Sequence, residues 1–169
     1  MTSERQKEVL RYVIEYFSKQ NKNAQKILVQ KAIYFLNFIG FDTGFRFEGY
    51  QYGPFSMDVM NVADEMETSR EIRIDRTTYV ADEGLVCEYQ EIGDLDTILR
   101  AYFEDLLKED DSFDNVERVG TVMFVMANHD PEDIEGIIED VKRWKPGKYL
   151  DDEIIATVQA IENVRQKLK

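Results

Sequence analysis

The side chains that most often carry out catalysis are scarce in this sequence, and they form no recognisable set. His129 is the single histidine and directly precedes Asp130-Pro131, and Cys87 is the single cysteine. A general base needs an oriented partner and a nucleophile, and one histidine with one cysteine cannot build the common zinc sites. We interpret His129 as a surface or capping residue and Cys87 as a small buried residue. We predict no catalytic residues, no metal site, no cofactor and no enzymatic activity.

Motifs that bind phosphate or calcium are also missing. The chain has no GxGxxG, GxxxxGK[ST] or GxSxG pattern. The acidic run KEDDSFDN lacks the glycine and the terminal glutamate that an EF-hand loop needs. We interpret this run as a solvated loop.

A polar set does occur around the stretch YQYGPFS, where the sequence pattern predicts that a strand meets a helix. Packing alone does not demand so many polar and hydroxyl-bearing side chains at such a junction, although each could be a helix-edge or strand residue. We predict a binding site at this junction. Its members are Lys26, Gln30, Lys31, Tyr34, Tyr52 and Ser56.

The net charge of −13 is concentrated in the middle of the chain. Residues 54–141 contain six basic and 25 acidic residues, a balance of −19, whereas the segments on either side are each +3. Such a field repels phosphate backbones, and it favours either basic partners or simply solubility through a solvated acidic surface. We predict an acidic interaction face on the helix after Gly53-Pro54, formed by Asp58, Asp64, Glu65 and Glu67.

Hydrophobic periodicity predicts a mainly helical protein. The helices are expected at about 4–20, 25–39, 54–67, 95–106, 115–128, 130–144 and 151–168. Gly40 is expected to end the second helix, and Pro54 or Ser56 to begin the third. Asp130, followed by Pro131, and Asp151 are expected to cap the last two.

Short strands complete the predicted fold. The alternating segment FRFEGYQY predicts a strand, and Ile72 and Ile74 followed by Leu85, Cys87 and Tyr89 predict a β-hairpin with its turn at ADEG. The order resembles a winged helix, with the GPFS helix in the recognition position. We predict a single domain, 1–169, with a winged-helix-like part at 1–92 and a helical bundle at 93–169.

The segment KILVQKAIYFLNFIGFDTGFRFEGYQYGPFSMDVMNVADEM resembles the signature of YwgA-like bacterial proteins and, more loosely, of the Panacea (SocA-like) antitoxin domain. The matching positions are Lys26, Val29, Gln30, Lys31, Tyr34, Tyr52, Gly53, Pro54 and Ser56. A second segment, VKRWKPGKYLDDEIIATVQAI, is similar to the Lys-Pro step before the last helix of the YwgA-like group. The resemblance to the Panacea domain implies a protein that neutralises a toxin by direct binding.

These observations favour a protein-binding regulator or inhibitor, antitoxin-like or related to defence or phage, that uses an acidic face on a basic partner. Two alternatives stay open. One is a transcription regulator that binds DNA through Arg70, Arg73 and Arg76 at the wing, although the acidic helix disfavours direct contact with nucleic acid. The other is an enzyme or nucleotide-binding protein with its site at the Tyr-Gly-Pro junction.

The sequence also bears on the compartment. No apolar run approaches the roughly 18 residues of a membrane span, and charges interrupt the first thirty residues, unlike a secretory signal. We therefore expect a cytoplasmic protein without a membrane partner.

Overall fold

A computed structural model describes residues 3–20, 23–81 and 93–169 of the chain. The protein is mainly helical with a small antiparallel β component, as predicted. The first half contains α1 (Glu4–Lys19), β1 (Ala24–Gln25), α2 (Lys26–Phe38), β2 (Glu48–Tyr50), β3 (Gly53–Phe55), α3 (Met57–Thr68), β4 (Ile72–Asp75) and β5 (Thr78–Ala81). The second half contains α4 (Gly93–Arg100), a π-helical continuation (Ala101–Leu106), α5 (Phe113–Met126), α6 (Ile134–Trp144) and α7 (Asp151–Lys167).

The first half has the element order of a winged helix. Strands β1, β5 and β4 form one antiparallel sheet in that spatial order, with β4 and β5 as the wing. Helix α3 precedes the wing and so holds the recognition position. A separate hairpin, β2–β3, is inserted between α2 and α3, with Tyr50 opposite Gly53.

Helix α2 is the centre of the molecule. Every residue from Leu28 to Leu36 is buried, because α1 covers one side of the helix and α5 another. One continuous cluster of buried apolar side chains includes residues from α1 through α7. Gln30 and Lys31 therefore lie inside the core and not on its edge.

The ends of the first three helices follow the local rules. Ser3 caps α1, with its hydroxyl accepting from the Gln6 N–H. Gly40 ends α2 in the left-handed conformation at φ 97°, and the Phe41 N–H bonds the Leu36 carbonyl in the manner of a Schellman motif. Ser56 caps α3, accepting from the Val59 N–H at 3.3 Å.

Several predicted details of the first half are wrong. Pro54 does not begin α3, because Gly53–Phe55 pairs with β2 as a strand. Only Glu48–Tyr50 of the predicted strand FRFEGYQY forms. The β4–β5 hairpin turns at Arg76-Thr77, since Asp75 pairs with Thr78, whereas most of the predicted turn ADEG lies outside the described residues. The expected strand with Cys87 lies outside the described residues.

The second half departs from the predictions at its helix starts. Asp133, not Asp130, caps α6, because the Asp133 carboxylate accepts from the Gly136 N–H at 3.1 Å. Asp151 is the first residue of α7 and not its cap; the preceding Leu150 N–H donates to the Glu153 carboxylate at 3.0 Å. The helix predicted at 95–106 forms, but its last six residues widen into a π-helix.

Candidate functional site

The β2–β3 hairpin is held against the core by Gln30 of α2. The Gln30 amide donates to the Ser56 carbonyl and accepts from the Ser56 N–H, each at 2.9 Å. Both residues are buried, so the side chain of Gln30 satisfies two backbone groups that have no access to water. Gln30 therefore fixes the point at which the hairpin passes into α3.

Lys31 fills the space beneath the hairpin. Its ammonium donates to the Pro54 carbonyl at 2.7 Å. Its alkyl chain lies against Gly53 and Gly120, where an added Cβ would be 3.3–3.4 Å from the Lys31 carbons. Burial lowers the pKa of Lys31 to about 8; the Glu117 carboxylate opposes this shift and the positive charge of Lys145 adds to it.

Glu117 of α5 is the second buried charge at this junction. Its side chain is fully buried, and its Oε1 accepts from the Tyr149 hydroxyl at 3.2 Å and lies 3.5 Å from the Lys145 ammonium. The Lys148 ammonium also donates to Oε1. Glu117 Oε2 and Thr121 Oγ1 are buried without a hydrogen-bond partner among the described residues. We call Lys31, Glu117, Lys145, Lys148 and Tyr149 the buried ionic cluster.

The lowered pKa of Lys31 predicts a rise in stability at alkaline pH. The unfolded lysine titrates near pH 10.4, so between about pH 8 and 10.4 the Lys31 side chain binds more protons in the unfolded chain than in the folded one. The free energy of unfolding should rise by up to about 1.4 kcal/mol per pH unit in this window. We expect Lys31→Met to abolish this rise in urea titrations between pH 7.5 and 9, a window that ends about one unit below the pKa of about 10 at which unfolded tyrosines titrate.

Lys19→Met is the matched control, because Lys19 is exposed at the end of α1. This variant should retain the alkaline rise of the wild-type protein. Parallel pH profiles for wild type and Lys31→Met would contradict the assignment of the rise to Lys31.

Tyr34 and Lys26, two further members of the predicted set, lie apart from the buried ionic cluster. Tyr34 is buried against the rings of Phe47 and Phe124, with centroids 5.3 and 5.7 Å away, and burial raises its pKa. Lys26 begins α2 near the wing, with its ammonium 5.8 Å from the centre of the Tyr79 ring. The structure thus brings together Gln30, Lys31 and Ser56, but it does not bring Lys26 to the same place.

Tyr52, the remaining residue of the predicted binding site, is exposed in an apolar part of the surface next to the buried ionic cluster. Large hydrophobic side chains of the described residues are exposed at five positions, and four of them are close to the hairpin: Tyr50, Tyr52, Met57 and Phe113. The Tyr52 and Phe113 rings are in edge contact at 5.2 Å. We call these four residues the hairpin patch. Lys145 connects the patch to the buried ionic cluster, since its ammonium is 5.9 Å from the Tyr52 ring centre.

Carboxylates surround the hairpin patch and continue along α3. Glu48 accepts from the Tyr50 hydroxyl at 3.1 Å, and Asp58 and Asp114 adjoin Met57 and Phe113 in the chain. The other three residues of the predicted acidic face, Asp64, Glu65 and Glu67, are exposed toward the far end of α3. Of these, Glu67 accepts from the Ile74 N–H, and Glu65 lies 3.9 Å from the Lys7 ammonium.

The side chain of His129 lies between two carboxylates. Its Nε2 lies 2.6 Å from Asp140, and its Nδ1 lies 3.2 Å from Asp133, the cap of α6. Hydrogen bonding to Asp140 and then to Asp133 raises the pKa of His129. Both ring nitrogens are engaged, so the arrangement indicates a structural imidazolium and not a free general base.

The raised pKa of His129 predicts a pH effect of the opposite sign to that of Lys31. Its contribution to stability is fully present below the unfolded pKa, near 6.5, and is lost as pH rises through the folded pKa. We expect His129→Gln to be less stable than wild type at pH 6, with a gap that narrows toward pH 8.5 in urea titrations. A gap that is constant or widens with pH would contradict this prediction.

Sequence reasoning missed Glu117, the acid on which the buried ionic cluster depends. A signal was present, because Glu117 stands in a segment, NVERVGTVMFVMAN, that is otherwise apolar enough to predict a buried helix. A carboxylate in such a helix must be paired or hydrogen-bonded. Its partners Lys145, Lys148 and Tyr149 follow about thirty residues later in an irregular segment, so their proximity depends on the tertiary fold.

The arrangement offers a surface for binding more clearly than a cavity for a ligand. The Lys31 side chain occupies the space under Gly53-Pro54, which disfavours a nucleotide pocket at this point. Among residues 3–20, 23–81 and 93–169, no group of three or more histidine, cysteine and acidic residues is placed to hold a metal ion. The same part of the chain contains no helix long and apolar enough to cross a membrane.

Comparisons with known proteins leave the chain without an assigned family. No family model matches the sequence, and no curated protein is significantly similar to it. The resemblance to YwgA-like proteins and the Panacea domain therefore stays a prediction.

Proposed function

We propose that this protein is a non-enzymatic regulator that binds a basic partner protein through the hairpin patch. The observation that carries the proposal is the grouping of Tyr50, Tyr52, Met57 and Phe113, four of the five exposed large hydrophobic side chains of the described residues. Exposed apolar surface is typical of protein interaction sites, and tyrosine is enriched among the residues that dominate binding energy. Two of the four residues, Tyr52 and Phe113, are in ring contact.

The rim of the patch supports a basic partner. The nearby carboxylates of Glu48, Asp58 and Asp114 would attract lysine and arginine side chains, whose cations also bind aromatic ring faces. The acidic residues at the far end of α3 extend the negative field and would increase the rate of encounter. A partner that is inhibited by this contact would make the protein antitoxin-like, in keeping with the predicted family resemblance.

The rigid support beneath the patch supports the same function. Gln30 and Lys31 bond the backbone of Ser56 and Pro54, and Gly49 is packed against Phe124 and Trp144, where an added Cβ would be 3.2 Å from either ring. A surface that is already ordered loses less conformational entropy on binding. Three members of the predicted set, Gln30, Lys31 and Ser56, thus act by positioning the hairpin patch.

The test is affinity capture from cells that carry the gene, followed by size-exclusion chromatography with the purified partner. We expect the wild-type protein to capture a basic protein and Tyr52→Ala/Phe113→Ala to lose it. Leu150→Ala is the matched control, because Leu150 is an exposed hydrophobic residue at the start of α7, outside the patch. Capture of the same protein by wild type and the double variant would contradict the proposal.

Neutralising the three carboxylates at the far end of α3 distinguishes their effect on the association rate from their effect on the dissociation rate. The variant Asp64→Asn/Glu65→Gln/Glu67→Gln should slow association and reduce its dependence on salt, with a smaller change in the dissociation rate. Stopped-flow or surface-plasmon measurements with the purified partner distinguish the two rates. An unchanged association rate at low salt would remove the acidic face from the proposal.

DNA binding is the second candidate, and the wing favours it. Arg70, Arg73 and Arg76 are all exposed around β4. However, α3 in the recognition position exposes Asp64, Glu65 and Glu67, which would repel phosphates. We expect no shift in the fluorescence anisotropy of a labelled duplex at about 50 mM salt. Binding that falls steeply with salt and is lost in Arg73→Gln/Arg76→Gln would favour this candidate.

A further inference from the structure

A groove runs along α7 on a different surface from the hairpin patch. It consists of two adjoining cavities of about 400 and 250 Å³, which share Lys108, Ala156 and Ala160 as lining residues. Helix α7 forms one wall, and the end of the π-helix and the start of α5 form the other. We call this feature the α7 groove. Both cavities are open to solvent, so the α7 groove is a surface groove with room for a small ligand.

Arg118 enters the groove with its charge unpaired. Its Nε donates to the Thr157 hydroxyl at 3.1 Å, and its Nη2 donates to the Asn115 side-chain oxygen at 2.7 Å, both neutral acceptors. Asp114 lies one turn earlier on the same helix, yet the ion pairs of the described residues include none with Arg118. The guanidinium is therefore held in one orientation, with Nη1 left to donate to a ligand.

Lys108 is a second cation that lines the groove, and it lies in a strained turn. Lys108 and Glu109 have φ angles of 54° and 60°, a conformation that side chains with a Cβ rarely adopt. Two hydrogen bonds hold the turn, since Asn115 Nδ2 donates to the carbonyls of Leu107 and Asp110 at 3.1 and 2.7 Å. Strained backbone of this kind persists where the surroundings over-determine it, and it is concentrated at functional sites.

Asn115 thus connects the two cations. The same buried amide fixes the turn that carries Lys108 and accepts the hydrogen bond that orients Arg118. The adjoining π-helix is a second feature that is common at functional sites. The two cations are pre-positioned by one side chain, and this limits the cost of ordering them when an anion binds.

Three acidic side chains in or beside the groove form hydrogen bonds or an ion pair with groups other than Lys108 and Arg118. The Lys167 ammonium bonds Asp105 at 2.6 Å, and Glu153 accepts from the Leu150 N–H at 3.0 Å. Asp110, the carboxylate whose pKa is lowered first by the Ser112 N–H and also by the charge of Arg118, bonds the backbone of its own loop. No ion pair among the described residues includes Lys108 or Arg118, so both cations are available to a ligand.

We propose that the α7 groove binds a small organic oxyanion with an apolar body. The Arg118 guanidinium matches the geometry of a carboxylate or a phosphate, and Lys108 adds a point charge to it. The rest of the groove suits an apolar body, because Ala156, Ala160 and Val119 leave room along its floor. The site is separate from the hairpin patch, so it does not depend on the proposed partner.

The test is a titration of the ¹⁵N-labelled full-length protein with octanoate, octyl phosphate and the neutral octanamide, followed by NMR. We expect both anions to shift the amides of the Leu107–Asp110 turn and of α7, with a dissociation constant of about 1 mM for the better one. Octanamide should bind at least about tenfold more weakly, because it lacks the charge. The ratio between the two anions identifies the preferred headgroup.

Two kinds of variant distinguish the contribution of the positive charges to anion binding from that of the open space in the groove. Arg118→Gln and Lys108→Gln should each weaken anion binding by about tenfold, and Ala156→Trp should block the groove without changing its charge. Arg73→Gln, on the wing, should leave binding unchanged. Lys108 and Ala156 are exposed, so Lys108→Gln and Ala156→Trp remain informative if Arg118→Gln fails to fold. Equal shifts with octanamide, wild-type affinity in Lys108→Gln, or no shift with either anion would overturn the proposal.

Discussion

Glu117→Ala is expected to lower the free energy of unfolding by about 3–5 kcal/mol, the usual cost of removing one partner of a buried ion pair. Glu117 is fully buried. Its Oε1 forms ion pairs with Lys145 and Lys148 and accepts a hydrogen bond from the Tyr149 hydroxyl. Without the carboxylate, Lys31 and Lys145 would remain as like charges in the interior with no anion between them. Urea unfolding followed by circular dichroism measures the loss.

Two control variants test whether the loss of stability comes from leaving buried charges without a partner. Glu135→Ala changes an exposed glutamate in the first turn of α6 and should cost less than about 1 kcal/mol. Glu117→Ala/Lys31→Met removes both buried charges and should be more stable than the sum of the single variants predicts. A loss below about 1 kcal/mol for Glu117→Ala would mean that the cluster contributes nothing net to stability.

Gln30→Ala is expected to cost about 2–4 kcal/mol, because it leaves two buried backbone groups of Ser56 without partners. The effect should exceed that of Ser56→Ala, which removes only the helix cap of α3 and should cost about 1 kcal/mol. Both values follow from chemical denaturation of the purified variants.

Gln159→Ala is the matched control for Gln30→Ala, since Gln159 is exposed on α7. It should change stability by less than about 0.5 kcal/mol. If Ser56→Ala proved more costly than Gln30→Ala, the hydroxyl cap and not the amide bridge would hold the hairpin, and the role assigned to Gln30 would be wrong.

Much of the helical structure could be predicted from the sequence, because apolar spacing and caps act locally. The periodicity of α1 and α2, Gly40 as the stop of α2 and Ser56 as a possible cap of α3 follow from neighbouring residues alone. The two short strands β1 and β3 could not be found in this way. The two-residue strand β1 pairs with β5, more than fifty residues later, and β3 contains Gly53-Pro54, which in a sequence pattern is more typical of a turn than of a strand.

The errors at the helix starts have a common physical origin. Asp130 and Asp133 both suit a cap, and Asp130 instead accepts from the Glu132 N–H in the turn before α6. Local composition cannot choose between two aspartates three residues apart. The π-helix has the same limit, because apolar spacing cannot reveal one extra residue in a turn.

The sequence indicated which polar residues lie near the Tyr-Gly-Pro junction, but not what they contact there. The polar set at the Tyr-Gly-Pro junction was visible, and Gln30, Lys31 and Ser56 do meet there. Their role is to hold the hairpin, a role that depends on α5 and the segment before α7 closing over them. Glu117, Phe113 and Arg118 could be assigned roles only when the packing of α5 was known.

The buried ionic cluster also bears on how the chain unfolds. Its members come from α2, from α5 and from the segment between α6 and α7, so the winged-helix part and the later helices share one set of charges. Local unfolding of either part alone would leave a charged side chain of the other part without its partners. The amides of α2 and α5 should therefore exchange with deuterium through a common global opening, as one cooperative unit. The two halves of the fold would then behave as a single folding unit, although they can be described separately.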